Sequence, residues 1–124
     1  MSFTALVVDD SMLIRHTVCR FLEGRGFRVE SASDGLEALQ SLNSARPDLI
    51  VTDLQMPKMD GLELIETLQS SPQTATIPIV ILSRKRFNPE LKTGVVRCVI
   101  YKDIDITAEL AKALDEIFPS VGAN

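Results

Sequence analysis

"LIVTDLQMPKMDG", residues 49 to 61, decides the fold. It opens with an apolar, β-branched run of the kind that fills the centre of a sheet, and then sets a carboxylate, Asp53, at the end of that strand. Pro57 and Gly61 mark the turn that follows. A lone aspartate in such a place is ordinarily a helix cap or a solvated turn residue. Whether Asp53 is more than that depends on what else the chain brings to the same edge.

Working outward, short aliphatic runs recur: "ALVV" (5–8), "FRVES" (27–31), "DLIVT" (48–52), "IPIVIL" (77–82) and "RCVIY" (97–101). Segments of helical period lie between and after them. Ile14, Val18, Phe21 and Leu22 form one stripe, Leu36, Leu39 and Leu42 a second, Leu62, Ile65 and Leu68 a third, and Ile106, Leu110, Leu114 and Ile117 a fourth. Ser11 is placed to cap the first helix, which stops by Gly24 and Gly26. Asp34 with Glu37 makes a capping box for the second, Asp60 opens the third, and Asp105 or Thr107 the last.

Strands apolar throughout and separated by helices belong to a parallel sheet covered on both faces. The pattern therefore predicts a doubly wound α/β fold, a five-stranded parallel sheet in the order 2-1-3-4-5 with helices on both faces. One crossover is irregular. In "SRKRFNPELKTGVV" (83–96), Asn88, Pro89 and Gly94 interrupt the helical pattern, so the fourth helix is expected to be short, distorted or missing.

Composition bounds the function. At 124 residues the chain is one domain, 1–124, with "PSVGAN" (119–124) as a frayed tail. A net charge of -4 offers no basic stripe for a nucleic-acid backbone, so direct nucleic-acid binding is not expected. No stretch has the length of a membrane span and the N-terminus does not read as a leader, which predicts a cytoplasmic protein with no membrane partner. Cys19 and Cys98 lack metal or redox spacing and read as buried thiols; His16, mid-helix beside Arg15, reads as a surface side chain.

On this scaffold the polar residues gather. Asp9 and Asp10 end the first strand, Asp53 the third, Ser83 follows the fourth and Lys102 the fifth. In open parallel sheets the ligand crevice lies outside the carboxyl ends of the strands, and strands 1 and 3 are neighbours there. Three converging carboxylates repel one another unless a cation sits between them. Mg2+ fits, because it takes oxygen ligands and commonly combines one or two carboxylates with a phosphate oxygen. An ammonium and a hydroxyl aimed at the same point complete what a transferring phosphoryl group needs, and Asp53 is the natural nucleophile.

"LVVDDS", "DLIVTDLQMPKMDG", Ser83 after "IVIL" and Lys102 after "VIY" resemble, in order and over nearly the whole chain, the CheY-like receiver domain of bacterial two-component response regulators. The resemblance implies that Asp53 is the phosphoacceptor and that Ser83 and Lys102 contact the phosphoryl group. It implies that Asp10, Asp53 and the backbone carbonyl of Gln55 hold Mg2+, with Asp9 beside them. The donor would be the phosphohistidine of a sensor histidine kinase or phosphotransfer protein, or a small acyl phosphate. The resulting reading is a single-domain response regulator that signals through a downstream protein or a phosphorelay. It acts on no substrate beyond its own phosphorylation and dephosphorylation. Two alternatives stand beside it: a pseudo-receiver serving as an interaction module, and a phosphatase of the haloacid dehalogenase type. The adjacent "DD" at 9–10 and the lack of a cap segment speak against the phosphatase.

The sequence also leaves the family pattern. Arg84 stands where a small residue is usual, Asp103 where proline is usual and Val99 where an aromatic is usual. The stretch 83–102 is shorter than usual by roughly one helical turn. Tyr101 falls on the same side of its strand as Val99; packing against the last helix is its expected role, and replacement of the missing ring the other. The switching element left to the chain would be 84–96. Its basic run "RKR" (84–86) reads as a solvated loop or as an attractor of anionic donors or acidic partners.

Overall fold

Strand β3 (Leu49–Asp53) runs through the middle of the sheet and is buried at every position, as is its neighbour β4 (Ile79–Ser83). The computed structural model describes residues 3–56, 58–59, 61–84 and 95–119. Within them β1 (Thr4–Val8), β2 (Arg28–Ala32) and β5 (Val96–Tyr101) complete an all-parallel sheet of order β2-β1-β3-β4-β5. Four helices accompany it among the described residues: α1 (Met12–Gly24), α2 (Gly35–Leu42), α3 (Gly61–Gln69) and α4 (Ile106–Ile117). The irregular fourth crossover expected from Asn88, Pro89 and Gly94 lies outside the described residues. So do Asp60, expected to open α3, and residues 120–124 of the expected tail.

Alternate residues of each strand enter opposite layers of the core, as the pleat requires. Ala5, Val7, Val51, Val80, Leu82 and Ile100 pack with Val18 and Leu22 of α1 and Leu110 and Leu114 of α4. Leu6, Val8, Ile50, Ile79 and Ile81 pack on the other face with Ala38 of α2 and Leu64 and Leu68 of α3. The doubly wound arrangement is thus the one the sequence predicts.

Particular expectations need correction. β2 is not apolar throughout: Arg28, Glu30 and Ser31 are exposed, because an edge strand has a neighbour on one side only. Leu36 and Leu62 are 48% and 37% exposed, although each began a predicted stripe. The rows that meet the sheet run Gly35, Ala38, Leu39, Leu42 and Gly61, Leu64, Ile65, Leu68, one position out of phase with those leucines. Cys19 and Cys98 form no disulfide and are only half-buried, and His16 is exposed as expected.

The caps explain where helices begin. Ser11 accepts from Ile14 N–H at 3.3 Å, and Asp105, rather than Thr107, caps α4 through Ala108 N–H at 3.2 Å. Asp34 accepts from Glu37 N–H at 2.9 Å, while the Glu37 carboxylate reaches back to Ser33 N–H at 3.0 Å instead of to the cap residue's own N–H. At the opposite edge from the strand carboxyl ends, Phe3, Phe27 and Phe118 form a ring cluster with centroids 4.9 to 6.1 Å apart. It ties the end of α4 to the start of β1 and β2.

Candidate functional site

Because all five strands run the same way, their last residues share one edge. Asp9 follows β1, Asp53 is the last residue of β3, Ser83 the last of β4, and Lys102 follows β5. Asp9, Asp53 and Lys102 continue the alternation that places Val7, Val51 and Ile100 in the α1/α4 layer, so their side chains converge. The strand ends are tied together by Asp9 N–H to Ala32 O at 3.1 Å, Leu54 N–H to Leu82 O at 3.0 Å and Lys102 N–H to Ser83 O at 2.8 Å.

Lys102 sits at the centre of the pocket with its side chain nearly buried. Its Nζ lies 2.8 Å from Asp9 Oδ2 and 3.3 Å from Asp53 Oδ1. Asp9 is held from its other side, accepting from Ser11 N–H at 2.8 Å through Oδ1 and from Arg15 Nη1 at 2.7 Å through its backbone carbonyl. Asp53 is fully buried. Its Oδ1 also faces Gln55 N–H at 3.4 Å, whereas Oδ2 is buried with no hydrogen-bond partner. Burial first, and the charge of Asp9 second, push the Asp53 carboxyl up to about 6, against the opposing pull of Lys102.

Asp10 is the exposed member of the cluster. One carboxylate oxygen from each of Asp9, Asp10 and Asp53 lies within 4.8 Å of the others. Three carboxylates, two of them (Asp9 and Asp53) with a buried oxygen that accepts no hydrogen bond, form a donor set suited to a hard divalent cation and too negative for Lys102 alone. Gln55, the fourth predicted metal residue, is half-buried in the turn after β3.

Local sequence builds that turn. A Cβ at position 61 would run into the backbone carbonyl of Asp53, so only glycine lets the start of α3 press against the strand end, where Gly61 N–H donates to Leu54 O at 2.9 Å. Lys58 adopts a left-handed φ of 66° and reaches Asp34 Oδ2 at 3.7 Å. Gly35 N–H donates to Met59 O at 3.3 Å. The loop bearing Gln55 is thereby clasped to the start of α2, a tie that no local pattern in the sequence announces.

The structure gathers Asp9, Asp10, Asp53 and Lys102 into one cluster with Gln55 N–H facing Asp53, leaves Ser83 at the end of β4 on the same edge of the sheet, and adds Arg84. The guanidinium of Arg84 turns inward, with Nη2 3.7 Å from Asp10 Oδ1 and 3.9 Å from Asp53 Oδ2; Lys85 and Arg86 lie outside the described residues. Position alone could have pointed to it, since Arg84 directly follows Ser83 on the same edge. Ser83 is buried and is the register partner of Tyr101 across β4 and β5. By strand alternation both side with Val99, which packs in the α2/α3 layer, while Cys98 and Ile100 pack toward α4. Tyr101 therefore belongs to the face away from the last helix, against the role first expected for it.

The family model described as response regulator receiver domain matches residues 5–114. The response regulator MprA of Mycobacterium ulcerans (strain Agy99) is 42% identical over 95 residues, spanning 77% of this chain and 40% of MprA. The gliding motility regulatory protein of Myxococcus xanthus is 46% identical over 117 residues, 90% of this chain and 15% of that protein. The chain thus spans less than half the length of these relatives. Among solved structures, the chemotaxis response regulator CheY4 of Vibrio cholerae superposes with a TM-score of 0.83 at 33% identity, over 95% of this chain and 100% of that one. The receiver domain of a sensor histidine kinase from Pseudomonas aeruginosa PAO1, solved with a magnesium ion in its active-site cleft, shares the fold at a TM-score of 0.81 and 21% identity, over 99% of this chain and 100% of that one. Matched along 5–114 by the family model and over the full length of CheY4 in three dimensions, the chain belongs to the receiver-domain family of response regulators.

Proposed function

We propose that this receiver domain accepts a phosphoryl group on Asp53 in a Mg2+-dependent reaction. The observation that carries the reading is the state of Asp53 itself: a fully buried carboxylate at a strand end, one oxygen facing Lys102 and the other left without a hydrogen bond. Asp10, Asp53 and the Gln55 carbonyl would hold Mg2+ with Asp9 beside them, and the ion would neutralise charge that develops on the phosphoryl oxygens.

The chain's own residues supply the rest. A carboxylate oxygen of Asp53 attacks phosphorus while the bond from phosphorus to the donor nitrogen or oxygen breaks, the leaving group keeping the electron pair. Lys102, fixed by Asp9 2.8 Å away, meets one phosphoryl oxygen, and the Ser83 hydroxyl another. Water later attacks the phosphorus of the aspartyl phosphate and regenerates Asp53. The chain turns over no other substrate.

A protein donor fits the rim of the site. Met12 and Leu13, both 74% exposed at the start of α1, and Ile104, 44% exposed just after Lys102, offer an apolar surface beside the pocket. The donor on this reading is the phosphohistidine of a sensor kinase or phosphotransfer protein in the cytoplasm. The output passes to a downstream protein or along a relay, and the chain's net charge of -4 gives nucleic acid little to bind. The test is intact-mass measurement with acetyl phosphate and millimolar Mg2+: one phosphoryl group on the wild type, none on Asp53→Asn and none in chelator. Phosphate retained by Asp53→Asn would overturn the assignment.

A further inference from the structure

Arg84 is the part of the pocket that the phosphoacceptor chemistry does not use. Lys102 is buried and fixed by two carboxylates. Arg84, by contrast, is 58% exposed, and its Nη2 approaches Asp10 Oδ1 and Asp53 Oδ2 at 3.7 and 3.9 Å. Those separations are too long for hydrogen bonds, so the attraction is coulombic and easily reversed. The side chain also borders an open cleft lined by Ser11, Ile14, Lys102 and Asp103, which gives the guanidinium room to turn aside.

The two carboxylates it faces are the ones that would hold the divalent ion, and one of the two oxygens is the orphan of Asp53. A cation tethered there and a cation arriving from solution draw on the same negative charge. We propose that Arg84 is a built-in counter-cation of the acidic pocket, which neutralises Asp10 and Asp53 while metal is absent and competes with Mg2+ for them. The inference rests on the reading that these two residues bind the metal. Its consequence is that the chain sets its own threshold of Mg2+, and hence of readiness for phosphorylation, through the residue next to Ser83. A small side chain at 84 would leave the carboxylates to the ion alone.

Isothermal titration of Mg2+ into the wild type, Arg84→Ala, Arg84→Lys and Arg28→Ala tests this. Arg28→Ala makes the same change in net charge at the opposite edge of the sheet. Arg84→Ala should bind Mg2+ about three- to fivefold more tightly than the wild type at low salt, the size expected for one exposed charge about 4 Å away. Arg84→Lys and Arg28→Ala should stay close to the wild type, and the advantage of Arg84→Ala should shrink at high salt, where exposed charges are screened. Melting temperatures give a second readout: Arg84→Ala should melt below the wild type in chelator and level with it at saturating Mg2+. Equal or weaker Mg2+ binding by Arg84→Ala, or an equal loss of melting temperature with and without metal, would refute the role of Arg84 and leave the metal site standing. No Mg2+ binding by any of the proteins would remove the metal site, and this inference with it.

Discussion

Asp53→Asn should make the metal-free protein more stable, although it removes the residue on which the function rests. The folded-state carboxyl is raised from 3.8 to about 6, chiefly by burial and by the charge of Asp9. The folded protein therefore favours the neutral form more than the unfolded chain does. Stability from this group is fully present below about pH 4 and is lost as the pH rises through about 6. At neutral pH the two-unit displacement corresponds to an upper bound of about 3 kcal/mol, at about 1.4 kcal/mol per unit. Relaxation and the weakened pull on Lys102 reduce this to about 1–2 kcal/mol, or a rise in Tm of roughly 3 to 8 °C for a domain of this size. The assay is thermal unfolding in chelator at about pH 7.5 and about pH 4.5. The variant should melt higher at the upper pH, the gap should close at the lower pH as wild-type Asp53 protonates, and millimolar Mg2+ should close it at the upper pH by stabilising the wild type. The reasoning is falsified if Asp53→Asn melts below the wild type in chelator at about pH 7.5, or if the gap does not depend on pH.

Removing the opposite partner should have the opposite sign. Lys102→Met leaves Asp9 and Asp53 buried without their cation and should destabilise the metal-free protein by about 3–5 kcal/mol in urea unfolding; a loss under about 1 kcal/mol would mean the carboxylates are neutralised some other way. Tyr101 is the single tyrosine in a chain without tryptophan, so tyrosine emission reports one site. As the register partner of Ser83, it should change emission when Mg2+ and beryllofluoride are added, and Ser83→Ala should diminish that change; an unchanged signal in the wild type would separate Tyr101 from the phosphoryl site. Leu13→Asp should slow phosphotransfer from a cognate histidine kinase about tenfold or more while acetyl phosphate still reacts at the wild-type rate, whereas equal slowing with both donors would place the defect in the pocket and not in docking.

The alternation of apolar runs and helical stripes is local, and local periodicity was enough to determine a parallel sheet and to send Asp9, Asp10, Asp53, Ser83 and Lys102 to one edge. Parallel strands leave no other place for residues at their carboxyl ends. Caps such as Ser11 and Asp105 were legible for the same reason, since a cap and the N–H it satisfies lie within one turn. Direction and depth were not legible. Which row of α2 meets the sheet depends on how closely the helix can approach it, and the exposure of Leu36 beside buried Ala38 follows from that docking. The elevation of Asp53 to about 6 needs full burial and a second carboxylate from a different strand. The aim of Arg84 at Asp10 and Asp53 and the facing of Tyr101 and Ser83 depend on contacts between segments far apart in the chain. Sequence period fixes which side of a strand a residue takes; only the assembled sheet, by its register and its helix packing, fixes what that residue meets there.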